Sequence, residues 1–580
     1  MNNKRFICIT LIAVLLISLS GCSKKGAGDI MDKSTLANNP TDTEDDEPVY
    51  GGKLVLPITI VKTLNPLLSE NISYYHFSKL IFESLFELDN DLNVKNLLAE
   101  DYSIEDSGKT IKIKLRENVL WHDGEAFTAN DVKFTIDAIK YAGNDNVYKN
   151  MILDSANNLA DLRHILNVKV TDDYNLEIYF DRSFSNALEV LTFPIIPKHL
   201  FTNGKGDNSA YAKALSLDNY TPIGTGPYKF ESYEKLKNIK LVANDKWWNG
   251  KPYIETIVGN ILGDEDLVLT AFETGQVDLA TTKGVDWEKF AQNERVKIYE
   301  FVSQNYEFLA MNFSDELFSG EKGLAIRKSI AYGVDRQSII QKVYLGHGTQ
   351  IDVPIHPNSW LISENANVYG YNKAKAKEIL EEAGWIDRDN DGIREDENGR
   401  KLTLKLATNS YNPLRLKTAN MIVDDLKSIG IDVTKDYNED IPDKLTDEMI
   451  ENQWQEFNNK ISRGNFDIAL LGWKLSSIPD LSFAFHSSQI SYGTNFIRYS
   501  NEKMDKLLIE CFRSEGREGK KEAYKNLEEA IVEDLPYVSL FFRNGSLLVD
   551  KKVHGDIDPQ ATNLYHNIEK WYIPKELQSN

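Results

Sequence analysis

Leu120-Trp121-His122-Asp123-Gly124-Glu125-Ala126-Phe127-Thr128-Ala129-Asn130-Asp131-Val132-Lys133-Phe134 reads as strand, turn and helix in direct succession. Asp123-Gly124 is a turn pair: Asp bonds nearby backbone, and Gly tolerates positive φ. Thr128 or Asn130 is placed to cap a helix running to Tyr141. Val132, Phe134 and Ile136 give that helix apolar faces. Turn and cap chemistry explain these residue types, so the stretch is assigned to folding rather than to a partner.

Outward from it, the same alternation continues. Before it, Gly52 to Ile58 is a short apolar strand and Tyr75 to Leu88 has helical spacing. Thr110 to Leu115 alternates Ile111, Ile113 and Leu115, a strand with one buried face. After it, Val168 to Phe180 gives two strands around Asp172-Asp173-Tyr174-Asn175, with further strands at Ile239 to Ala243 and Ile254 to Leu262. Asp266 to Thr274 is a helix stopped by Gly275. A strand at Phe308 to Asn312 precedes helices at Lys322 to Gly333 and Asn372 to Ala383. The remainder alternates a strand at Leu402 to Ala407, a helix at Leu414 to Ile429, a strand at Asp467 to Trp473, a helix at Glu502 to Arg513 and a strand at Tyr537 to Arg543. Alternation at this density indicates α/β layers.

The N-terminus reads as an export signal. Lys4 and Arg5 precede an apolar run, Phe6 to Leu19, broken only by Thr10 and Ser18. That run is shorter than the ~20 residues of a spanning helix, so it fits a cleaved segment. From Ser23 to Val49 the chain is polar, with an acidic run from Asp42 to Glu47. Such a stretch cannot bury enough apolar surface to offset its ordering entropy, and it reads as a flexible tether.

Composition excludes some classes. The chain has 66 Lys and Arg against 88 Asp and Glu, a net charge of −22; loss of Lys4 and Arg5 with residues 1–21 takes it to −24. Nucleic-acid affinity comes largely from cations on phosphates, so no nucleic-acid partner is expected, nor broad adhesion to anionic lipid. Of the 3 cysteines, Cys8 leaves with the signal and Cys511 lies on the apolar stripe Met504, Leu507, Leu508, Cys511, Phe512. It reads as a buried, inert thiol, and the mature body has no internal disulfide.

Several motifs have bland readings that fit better than chemical ones. Gly224-Thr225-Gly226 lacks the third glycine of a dinucleotide loop, because Lys229 stands there. Asp387, Asp389, Asp391 and Gly392 resemble the start of a calcium loop, with Glu395 at position nine. Position twelve is Asn398, where a bidentate Glu is expected. The stretch is read as a tight acidic turn before the next strand. None of the 9 histidines is spaced for a metal pair on a helix, and there is no serine nucleophile elbow or zinc-protease motif. No catalytic residue, cofactor or metal is expected.

Leu19-Ser20-Gly21-Cys22 resembles a bacterial lipobox, which implies lipidation at Cys22. The body resembles the family-5 extracellular solute-binding proteins, the oligopeptide, dipeptide and nickel receptors of ABC importers. The opening stretch carries the resemblance most strongly. Gly224-Thr225-Gly226-Pro227-Tyr228, Arg327 to Ile340, Asp387 to Arg394, Leu470 to Phe485 with Tyr499-Ser500-Asn501, and Leu535 to Phe542 follow in family order. The resemblance implies an α/β, two-lobed fold of periplasmic-binding-protein type II, with an extra domain in lobe one and the ligand cleft between lobes. The implied divisions are 1–21 signal peptide, 22–49 lipidated tether, 50–308 lobe one with 91–219 as the extra domain, 309–535 lobe two, and 536–580 returning to lobe one.

The same resemblance implies a ligand site near Trp473, Ser476, Asp480, Tyr492 and Asn495, with Tyr74, Tyr75, Asn305, Tyr306, Asn409 and Tyr411 as further candidates. Some peptide-binding relatives carry an aspartate three residues past the tryptophan, paired with the peptide α-amine. Here that position is Ser476, so either Asp480 takes that role or the ligand lacks a free amine. The expected function is capture of short peptides outside the membrane and delivery to an ABC permease, by a monomer held through its lipid. The alternatives are a nickel chelate, an oligosaccharide or a signalling peptide in the same fold. A surface hydrolase or adhesin is the alternative from another class.

Overall fold

The computed structural model describes residues 47–142, 147–148, 165–218, 220–282, 287–441 and 445–578. The expected signal peptide, Cys22 and the expected tether up to residue 46 lie outside the described residues. Among the described residues, no helix is long and apolar enough to cross a membrane.

Two long strands organise the molecule. Val296–Met311 and Tyr537–Asp550 run antiparallel, pairing Val296 with Asp550 at one end and Ala310 with Tyr537 at the other. Their ladder breaks between Val302 and Tyr306, where Ser303, Gln304 and Asn305 have no partner on the second strand, and its register shifts again between Glu307 and Phe308. On one side of that break, Leu279–Thr282 joins the ribbon through Ser546 to Val549. On the other, Ile468–Lys474 pairs with Asn305 to Met311, and Thr403–Ala407 and Asp432–Asp436 extend the sheet in parallel. The ribbon is therefore shared by both lobes.

Each lobe has its own core. One gathers Phe308, Ile330, Leu404, Ile422, Leu470 and Ile531. The other joins Leu54, Phe77, Tyr228 and Ile257 to Leu547, Val549 and Trp571, from the far end of the chain. It lies around a four-stranded sheet in which Lys53–Thr59 pairs in parallel with Thr256–Leu262. A third core, built on Ile111, Trp121, Phe134, Ile178 and Phe193, covers a separate four-stranded antiparallel sheet.

The opening stretch folds as a strand bridge, turn and helix. Leu120 bridges Ala126, and the helix is Ala129–Ala142. The Asp131 carboxylate accepts the Thr128 N–H at 2.9 Å, the reciprocal half of a capping box. Its other oxygen accepts Lys198 N–H at 2.8 Å, which ties the helix start to a distant loop. His122 links this stretch to the glycine loop. Its Nδ1 accepts Gly224 N–H at 3.2 Å, and its Nε2 lies 3.0 Å from Gly226 O. Burial lowers its pKa to about 4, which keeps it neutral for both roles.

The glycines there are steric requirements. A Cβ on Gly224 would stand 1.8 Å from Ile81 O. Gly224→Ala is expected to destabilise the fold by about 1–3 kcal/mol through forced backbone movement, read as a lower denaturation midpoint at unchanged slope. A neutral substitution would mean that this backbone can shift freely.

The same contact corrects one sequence reading. Helical spacing from Tyr75 to Leu88 yields a helix only over Ile72–Ser78, and Phe86–Leu88 is a strand. Gly226 N–H takes Ile81 O and Tyr228 N–H takes Leu80 O. Carbonyls that a longer helix would use inwardly are thus claimed by another segment. The Phe308 to Asn312 strand proves to be the end of a 16-residue one, and Gly516–Asp534 is a 19-residue helix that no sequence reading anticipated.

Candidate functional site

The break in the shared ribbon opens onto a cavity of about 340 Å³. Tyr75, Lys79, Glu87 and Thr192 line it from the first lobe, and Gln304 and Lys474 to Ile478 from the crossing strand and the segment after Trp473. Gln304 fixes that segment: its carbonyl accepts Leu475 N–H at 2.9 Å and its amide donates to Ser477 Oγ at 2.6 Å. The cavity holds both signs of charge. The Lys79 ammonium lies 5.0 Å from the centre of the Tyr75 ring. Lys79 and Lys474 add to burial in lowering the pKa of His76 to about 3, so both positive charges act on this wall. Glu87 is the carboxylate among the residues lining the cavity.

The residues anticipated from sequence fall into several places. Tyr75 and Ser476 line the cavity. Trp473 is one residue behind it, packed on Phe308, Phe483 and Phe496 at 5.5–6.3 Å between ring centres. Asn305 sits beside Gln304, its amide donating to Ser303 Oγ at 3.0 Å. Tyr74 is in the core, its hydroxyl donating to Leu64 O at 2.6 Å. Tyr306 is also core, bonded to Ser539 Oγ at 2.5 Å. Asn495 is fully buried and bonds His486 O and both backbone groups of Tyr499. Tyr492 is 55% exposed. Asp480 accepts Ser482 N–H at 2.9 Å and borders a separate small void with Asn186, Cys511 and Tyr524, outside the cavity. That void also holds the Cys511 thiol, whose pKa burial pushes far up.

Asn409 and Tyr411 belong to an ion cluster. Arg415 donates to Glu307 through Nε at 2.9 Å and Nη2 at 3.1 Å, and through Nη1 to Asn409 Oδ1 at 3.1 Å. Arg543 Nε lies 3.3 Å from Glu307 Oε1. Tyr411 is half-buried near Arg415. Gly472 makes room for this guanidinium, since a Cβ there would be 2.1 Å from Arg415 Nη2. The cluster joins both crossing strands to the Pro413–Ser428 helix.

Sequence reasoning missed Lys79, Glu87, Gln304 and Lys474. For Lys474 and Gln304 the only signal was adjacency, to Trp473 and Asn305; Lys79 and Glu87 carried none.

The lobes also touch beyond the ribbon. Lys520 and Glu189 form an ion pair with side chains only 6% and 9% exposed. Ser185 bonds Phe512 O through its N–H at 2.9 Å and Cys511 O through its hydroxyl at 2.7 Å. Arg517 stacks 3.9 Å from the Trp360 ring centre and reaches Asn93 Oδ1 at 2.7 Å.

Comparison with known proteins places this architecture. Residues 93–494 match the model of the bacterial extracellular solute-binding proteins, family 5 Middle. The oligopeptide-binding protein AppA of Bacillus subtilis is 30% identical over 573 residues, 98% of this chain and 98% of that protein. The solved structure of Bacillus subtilis AppA in complex with a nonapeptide superposes with a TM-score of 0.62 at 27% identity, over 91% of this chain and 100% of that one. NikZ from Campylobacter jejuni in complex with Ni(L-His) gives 0.64 at 25% identity, over 91% and 100%. With its two lobes, shared ribbon and intervening cavity, the chain belongs to the bacterial extracellular solute-binding proteins of family 5.

Proposed function

We propose that this protein captures short peptides outside the cytoplasm and delivers them to the permease of an ABC importer. The observation that carries this reading is a cavity between the lobes with a carboxylate and two ammonium groups on its walls, in a chain similar end to end to an oligopeptide-binding protein. A peptide is a zwitterion, and each terminus needs an opposite charge when desolvated. Glu87 is the partner we assign to the α-amine, in place of Asp480. Lys79 and Lys474 are the partners for the carboxylate. Gln304, Ser476 and Ser477 offer polar groups to the peptide backbone, a mode that holds many sequences alike. The volume is at the low end of the ~300–1,000 Å³ range of ligand pockets, which favours a short ligand. No histidine is among the residues lining this cavity, so peptide is favoured over a nickel chelate.

Cys22 would anchor a monomer to the membrane through lipid, with the polar tether as spacer. The lobe boundaries we infer are 50–308 with 536–580 against 309–535, with 91–219 as the added domain. The hinge we infer lies in the crossing strands at the break from Ser303 to Asn305, so near these boundaries Tyr306, Phe308, Tyr537 and Phe542 pack in the second lobe's core.

Calorimetry and thermal unfolding against di- to pentapeptides, nickel with histidine, and oligosaccharides test the reading. A ligand at 100 times its Kd adds about 2.7 kcal/mol. Glu87→Gln is expected to weaken free-amine peptides about 10–100-fold, and to leave N-acetylated peptides unchanged. A response to nickel–histidine or sugar without one to peptides would remove the peptide assignment. Equal loss for both peptide forms would remove Glu87 as the amine partner.

A further inference from the structure

We propose that the turn from Asp387 to Glu395 is a calcium site. Asp387, Asp389 and Glu395 each offer a carboxylate oxygen, and these oxygens lie within 4.8 Å of one another. Convergence of three acids is not enough, because exposed acids gather on many surfaces. Glu395 differs from those: it is only 6% exposed. Its Oε1 accepts Arg388 N–H at 2.7 Å, whereas its Oε2 is buried with no hydrogen-bond donor. Asp387 repeats the pattern. Its Oδ2 accepts Gly392 N–H at 3.0 Å, and its Oδ1 is buried and unpartnered. Buried carboxylate oxygens without a donor are costly and rare. A divalent cation between them would satisfy both.

The rest of the turn suits a hard cation. Asp387, Asp389 and Asp391 occupy the first, third and fifth places of a calcium loop, and Gly392, at φ +89, makes the sharp turn at the sixth. Ile393 stands where such loops present a backbone carbonyl. In sequence the twelfth-place glutamate is missing, but the fold brings Glu395 in from place nine as a direct ligand. All these donors are oxygens on an irregular turn rather than a fixed octahedral cage, which suits the 6–8 oxygen ligands of calcium better than the strict octahedron of magnesium. One group competes. Lys401 Nζ contacts Asp391 and lies 3.3 Å from Asp389. Its side chain is partly exposed on a long stem, so it can turn to solvent when a cation enters. That competition and the absent twelfth-place ligand set the affinity at the weak, extracellular end, on the order of 10⁻⁴–10⁻³ M. The site is independent of the ligand bound between the lobes.

The test is calorimetric titration of the chelator-stripped full-length protein with Ca²⁺ alone and Mg²⁺ alone, with thermal unfolding in parallel. One Ca²⁺ per chain in that range is expected, with a rise in Tm and weaker Mg²⁺ binding. Asp389→Asn, at an exposed position, should abolish binding and leave the calcium-free Tm unchanged. Glu395→Gln should do the same to binding while its amide oxygen keeps the Arg388 bond. Lys401→Ala should tighten binding. No heat and no Tm change at ~10 mM Ca²⁺, ten times the weak limit, would overturn the proposal. So would binding that survives both Asp389→Asn and Glu395→Gln, or Mg²⁺ binding as tight as Ca²⁺.

Discussion

Glu307→Gln will lower the unfolding free energy by about 3–5 kcal/mol, the usual cost of removing one partner from a buried ion pair. Glu307 is 1% exposed and faces two guanidinium groups, Arg415 and Arg543. Neutralising it leaves two guanidinium groups, mostly buried, facing each other with no anion between them. Removing an exposed ion pair gives the comparison. Lys237 and Glu234 are 2.8 Å apart but 66% and 60% exposed, and Lys237→Ala should cost no more than about 1 kcal/mol. The measurement is the denaturation midpoint of both variants at matched slope. If Glu307→Gln moved the midpoint no further than Lys237→Ala, the cluster would not be holding the crossing strands to the Pro413–Ser428 helix.

Glu189→Ala will act on closure rather than on folding. Removing the carboxylate leaves the Lys520 ammonium in the contact between lobes with the Ser185 carbonyl at 3.2 Å but no counter-charge, at a cost of up to about 3–5 kcal/mol while the contact stays closed. Opening rehydrates the ammonium, so the open form gains population instead of the protein unfolding. A ligand that needs the closed form then binds more weakly by the fraction lost, up to about 150–5,000-fold. Small-angle scattering should show a larger radius of gyration at a peptide concentration that closes the wild type. The double variant Glu189→Leu with Lys520→Met should recover much of the affinity, because an apolar pair in such a place is often as stable as the ionic one. An unchanged radius and affinity in Glu189→Ala would mean that the latch does not govern closure.

Legibility in the sequence followed how local the determinants are. The Glu502–Arg513 helix was readable because Met504, Leu508 and Cys511 repeat with its period and face one core. The Val296–Met311 strand was readable only from Phe308, where every side chain is buried. Its earlier half is mixed in burial and passes through Ser303, Gln304 and Asn305, so no period stands out. The Tyr75 to Leu88 reading failed because Gly226 and Tyr228 claim backbone carbonyls of that segment from more than a hundred positions away. The cavity shows the same division. The segment after Trp473 stood out through its resemblance, and Ser476 was found. Lys79 and Glu87 were not, because a lone charge just past a short helix or within a three-residue strand looks like any solvated surface residue until the fold places it beside a segment of the other lobe.

The shared ribbon also fixes an order of assembly. Leu54, Phe77 and Tyr228 emerge early from an N-to-C growing chain, yet their core is closed by Leu547, Val549 and Trp571, which emerge last. The core around Phe308, Leu404 and Leu470 needs nothing beyond Phe542. The chain that begins first therefore finishes last, and its apolar surface waits for nearly the whole length to arrive. Contacts this distant in sequence are slow to form and leave aggregation-prone surface exposed meanwhile. Synthesis or export that stalls near the end would yield one complete lobe and one that is open to chaperones and proteases.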